Sequence, residues 1–193
     1  IDAGAEEVLQ LEMVFYAGNW YEEKNGIAAA TNFLLKNGTA NRTAFEINEH
    51  FDYFGAYLNR NCYNETANFI LHCLTKRLGD LLPVMQEILT DAAFPEHELD
   101  IYKQNMKQRL EVNLKKCDVV ANRVIDELIY GPEHPYGKNN TLEMFDHLTT
   151  GEIKHFYQRY YSQGKCIIFV AGILPLNLAS LLNEYFGKLP FNK

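Results

Sequence analysis

GIAAATNFLLKNGT, residues 26–39, is a helix with its stop signal attached. Apolar side chains dominate it without a Pro to interrupt them. Asn25 stands at the front, where a side-chain amide can cap the first free N–H groups. Asn37-Gly38 closes it, because Gly takes up the left-handed conformation that ends a helix near Lys36. Upstream, Val8 to Tyr16 alternates: Leu9, Leu11, Met13 and Phe15 share one face while Gln10 and Glu12 share the other, which is a half-buried strand broken by Ala17-Gly18-Asn19. Downstream, Thr43 with Glu46 three residues on is a capping-box pattern and opens a second helix that ends near Gly55.

Further along, Tyr57–Cys62 and Ala67–Leu74 form two short strands joined through the polar turn at Asn64-Glu65, a hairpin of more than minimal length. Thr75–Thr90 places Leu78, Leu81, Leu82, Met85, Ile88 and Leu89 at helical spacing, and Pro83 inside it predicts a kink or a late start. Pro95-Glu96 opens a long polar helix to about Lys116, and the Glu96, Glu98 and Asp100 charges suit its positive end. Helices follow over about Val119–Tyr130, Thr141–Leu148 and Thr150–Tyr160. Then come a buried strand over Lys165–Gly172 and a last amphipathic helix over Pro175–Phe186. This order predicts an α+β fold, a mostly antiparallel sheet with helices packed on one side.

With 193 residues, 47% of them hydrophobic, the chain can bury the core of a single domain. A net charge of −7, without a Lys/Arg run, excludes a nucleic-acid backbone as partner. No apolar run approaches the ~20 residues that span a bilayer, so the chain is expected not to be membrane-spanning. Cys62, Cys73, Cys117 and Cys166 show no C-x-x-C spacing and read as small buried residues. The six His residues include no pair four apart, so a relocated metal site is not expected from them. The chain opens on Ile1 without Met, which points to a piece of something longer.

Several passages in series resemble one domain of the insulinase/pitrilysin (LuxS/processing-peptidase-like) zinc metallopeptidases. They are VFYAGNWYE (14–22), GIAAATNFLLKNGT, GTANRTAFEINEHFDYFGAYLN (38–59), FPEHELD, LIYGPEHPYG (128–137), FYQRYYSQGKCIIFVAG (156–172) and FGKLPF (186–191). The resemblance implies that residues 1–193 are a single insulinase-type domain, the first half of a longer two-domain chain, lacking only a strand before Ile1. In that family the inverted H-x-x-E-H motif sits on the helix of residues 26–39: two His four apart on one face ligate zinc, and the Glu beside them handles water. Here Ala29 and Phe33 hold the His positions and Asn32 the Glu. A methyl group and a benzyl ring have no lone pair for a metal, and an amide is a poor proton acceptor. The family's third ligand falls by its spacing on Gln108–Leu110, where Arg109 would repel a dication; Glu111 lies close but rotated away along the helix.

Zinc, the family's cofactor, is therefore not expected in this chain. In active relatives the strand matching Tyr57–Tyr63 pairs with extended peptide by β-augmentation. That makes Asn59, Arg60, Asn61 and Cys62 the candidate peptide-binding edge. Arg60 replaces a small residue there, so it either alters selectivity or guards the edge against unwanted pairing. The function the resemblance implies is a non-catalytic domain that forms half of a peptide-enclosing chamber. Its partner would be a second insulinase-type domain or an active peptidase subunit, in a dimer of halves, and a bacterial periplasmic or envelope setting goes with it. The alternatives are an active zinc metalloendopeptidase with displaced ligands and a structural assembly subunit.

Overall fold

The computed structural model describes Ile1 and residues 6–192. Its centre is an antiparallel four-stranded sheet in the order β2-β3-β1-β4, built from β1 (Val8–Phe15), β2 (Tyr57–Cys62), β3 (Ala67–Leu74) and β4 (Cys166–Gly172). The alternation in β1 does what the pattern predicts. Leu9, Leu11, Met13 and Phe15 are buried, and opposite them on β3 lie Cys73, Leu71, Phe69 and Ala67, all buried as well. β2 is an edge strand that pairs only with β3, from Tyr57 opposite His72 to Cys62 opposite Ala67.

Helices cover the apolar face of the sheet. α1 (Ile27–Leu34) packs on β2 and on α7 (Thr150–Tyr157). α2 (Ala44–Tyr53) carries the predicted capping box, Thr43 and Glu46 satisfying each other's backbone N–H groups. α3 (Leu78–Thr90) buries Leu78, Leu81, Leu82, Val84, Met85, Ile88 and Leu89. α4 (Glu96–Asn113) is long and mostly polar, burying only Leu99, Tyr102 and Leu110. α5 (Cys117–Tyr130), α6 (Leu142–Asp146) and α8 (Leu178–Tyr185) complete the chain. The α+β architecture is the one expected, helices on one face of an antiparallel sheet.

Besides β4, which is an edge strand alternating between half-buried and exposed residues rather than a buried one, three local expectations are corrected. Asn25 does not cap α1; the cap is Gly26 at φ 87°, and the carboxylate of Glu22 accepts from the N–H groups of Gly26 (3.1 Å) and Ala28 (3.0 Å). A longer acid reaching back from the preceding turn satisfies two donors, which the amide of Asn25, bonded to the Asn139 carbonyl, cannot do. Second, Pro83 does not set the start of α3, which begins at Leu78 after a short turn at Thr75–Arg77 and carries Pro83 inside it; the carbonyl of Gly79 that loses its donor is on the exposed side, where solvent can satisfy it. Third, of the four cysteines only Cys73 is buried; Cys62 and Cys166 are half-buried, and Cys117 is exposed because α5, which it begins, buries none of its residues.

Candidate functional site

α1 carries two kinds of residue on adjoining faces. Ile27, Ala28, Ala30, Thr31 and Leu34 are buried against the core, whereas Ala29 and Phe33, four apart, lie half-buried on a common face. The Phe33 ring meets the ring of Tyr102, on α4, at 5.0 Å between centroids, tilted by 44°. From the other side, the guanidinium carbon of Arg60 lies 4.3 Å above the centre of the Phe33 ring. Arg60 follows Leu58 by two along β2, so both side chains turn to the helix side of the sheet. It therefore lies over α1, against Phe33. Burial lowers the Arg60 pKa to about 10, which leaves it charged at neutral pH. The phenol of Tyr102 is pushed up by burial, then by Cys62 and Glu22, and stays neutral.

Asn32 is only 2% exposed. Its Nδ2 donates to the backbone carbonyl of Asn68 on β3 (3.3 Å) and to the hydroxyl of Tyr161 (3.2 Å). Tyr161 reaches it because the chain leaves α7 through a π-turn at Gln158–Ser162, which adds a residue per turn and points the ring inward. A carboxylate cannot donate to a carbonyl, so a Glu in this place would lose one of the two bonds. Asn32 is a clamp between α1, β3 and the π-turn. Arg109 is exposed on α4, close enough to Tyr102 that its charge works against the burial of the phenol; Gln108 and Glu111 are exposed and Leu110 is buried.

A zinc ion does not fit these residues. Ala29 and Phe33 offer it no electron pair, the amide of Asn32 is committed to two partners, and two cations face the same region. Among the described residues no group of three His, Cys, Asp or Glu comes together in a way that could hold a metal. On β2, the backbone N–H of Arg60 donates to Asn59 Oδ1 (2.8 Å) and that of Asn61 to Asn68 Oδ1 (3.0 Å). The side chains of Asn59 and Asn68 thus stand in for ladder acceptors. Burial, with Glu22 adding to it, pushes the Cys62 thiol up to about 12, so it is not a nucleophile at neutral pH.

The family model for Insulinase (Peptidase family M16) matches residues 4–132, and the Peptidase M16 inactive domain model matches residues 147–193. The chain belongs to the insulinase family. Similar proteins include the uncharacterized zinc protease YmxG of Bacillus subtilis, 23% identical with 86% of this chain and 41% of that protein covered. They also include the ubiquinol-cytochrome-c reductase complex core protein I of Euglena gracilis (25%, covering 89% and 35%) and the mitochondrial-processing peptidase subunit beta of Neurospora crassa (22%, covering 88% and 36%). The chain spans well under half the length of these relatives. Its fold is that of a peptidase M16 inactive domain from Pseudomonas fluorescens, TM-score 0.90 at 23% identity, covering 98% of this chain and 47% of that one. A protease from Helicobacter pylori gives 0.88 at 18% identity, covering 100% and 48%.

Within the insulinase family this is a non-catalytic M16-like half. The match of residues 147–193 to the inactive-domain model supports that. The sequence shows the identities of Ala29, Asn32 and Phe33 directly. It does not expose Tyr102 or Tyr161, whose roles come from long-range packing, nor Glu22, whose carboxylate meets N–H groups four and six residues on only through the turn between them; the one signal for Tyr161 is an aromatic-rich stretch, Phe156–Tyr161, too dense for one helical face.

Proposed function

We propose that this chain is the supporting half of a two-part insulinase-type peptidase: it forms one wall of a chamber, docks on a half that carries zinc, and holds extended peptide without cutting it. The observation that carries this reading is the filled site. Where a catalytic half needs an open metal position beside α1, this chain packs Phe33 between Tyr102 and Arg60. Hydrolysis then belongs to the partner's metal, and this half contributes positioning, which lowers the cost of holding a flexible peptide in line. The surface of α5 supports the docking part. Val120, Val124, Ile125, Leu128 and Ile129 are all exposed, an apolar row that an isolated domain would cover. On this reading the chain is one insulinase-type domain of a longer two-domain protein.

The test is to mix the purified chain with an insulinase-family half bearing an intact H-x-x-E-H and follow cleavage of an unstructured peptide. Stimulation of the partner, with no cleavage by this chain alone, is the expected result. Copurification with a large assembly, with neither peptide binding nor stimulation, would replace the reading by that of a structural subunit. Among the described residues no helix is long and apolar enough to cross a membrane, so such an assembly would not be held there by one of these helices.

A further inference from the structure

Arg60 carries a charge for which the described residues supply no ion-pair partner. Among the described residues its guanidinium enters no ion pair and no hydrogen bond, and its Nε is buried without a partner. Lys36, one turn past Phe33, has its pKa lowered by burial and then by Arg60, with Asp52 acting the other way, and Tyr57 is the group that favours the charge on Arg60 itself. Lys36 Nζ itself donates to Asn48 Oδ1 at 3.0 Å. A half-buried cation beside a second cation is unusual in a chain of net charge −7. The ring of Phe33 offsets part of the desolvation through its negative face, but it accepts none of the planar N–H donors.

We infer that Arg60, with Lys36 behind it, is a carboxylate-binding subsite that takes an Asp or Glu side chain, or the terminal carboxylate, of a peptide lying along β2. This rests on the peptide-facing reading of that edge strand. The guanidinium fork matches a carboxylate in shape and charge. Its place beside Phe33 means that a protein-borne cation lies next to the position where active relatives carry a metal ligand. The ring, 4.3 Å from the guanidinium carbon, restricts where the guanidinium can go, so less freedom is lost when a carboxylate arrives.

The test uses the whole chain and three labelled, unstructured peptides of one length: one with a central Asp-Glu pair and an amidated end, one with Asn-Gln and an amidated end, and one with Asn-Gln and a free end. Fluorescence anisotropy is expected to give one of the two carboxylate-bearing peptides about tenfold tighter binding than the neutral one, and which of them does so names the source of the carboxylate. The preference should shrink as salt rises from about 0.05 M to about 0.5 M, and vanish in Arg60→Ala and in Arg60→Gln, which keeps more of the stem. The peptide and salt comparisons use the unaltered chain, so they stand even if a variant fails to fold. Equal affinity for all three peptides, or a preference surviving both variants, would overturn the subsite while leaving peptide binding intact. If none of the three binds, the peptide-facing reading of β2 falls and takes the subsite with it.

Discussion

Asn32 is a buried structural donor, and its contribution can be measured. Removing its amide in Asn32→Ala leaves the Asn68 carbonyl and the Tyr161 hydroxyl without their partner in a place closed to water. The expected loss is about 1–3 kcal/mol, read from urea unfolding. Asn32→Glu should cost more, because it also buries a carboxylate against a carbonyl oxygen. A finding that Asn32→Glu is neutral would mean the amide is not the clamp described. Restoring the motif outright, as Ala29→His with Asn32→Glu and Phe33→His, is expected not to yield stoichiometric zinc. The third ligand is still missing, and Arg60 still lies over the ring position. Metal analysis of the triple variant checks this.

The helices and strands are largely legible in the sequence, for a physical reason: their signals are local. β1 announces itself by alternation, and α2 by Thr43 and Glu46 three apart. The α2 cap also makes a pH prediction. Hydrogen bonds from the Thr43 backbone and side chain hold the Glu46 carboxyl below its ordinary value of 4.5. A depressed folded pKa stabilises above the ordinary value and is lost as pH falls through the lower, folded value. The stability gap between the natural chain and Thr43→Ala should therefore narrow between about pH 6 and about pH 3. At neutral pH the cap itself is expected to be worth about 1 kcal/mol. What stayed illegible depends on distant partners. Asn25 has the composition of a cap, yet Glu22 takes the role because the preceding turn brings its longer side chain to the helix end. The stack of Arg60, Phe33 and Tyr102 joins three elements, and no spacing along the chain predicts it.

At the scale of the whole molecule, the chain has the fold of an insulinase-family domain and packs a ring and a guanidinium beside α1. An exposed apolar row on α5 is left for something else to cover. If that row docks a partner half, Leu128→Lys should weaken association on the order of tenfold or more while leaving the unfolding midpoint unchanged, because Leu128 contributes nothing to this chain's own core. Sedimentation of the mixed halves separates the two effects. Equal association for Leu128→Lys would move the interface elsewhere. The most direct measurement is of metal and activity together: purify the chain without added zinc, count zinc per chain, and assay cleavage of an unstructured peptide with and without a chelator. Far less than one zinc per chain and no cleavage is the predicted result. One tightly held zinc per chain with chelator-sensitive cleavage would contradict the account.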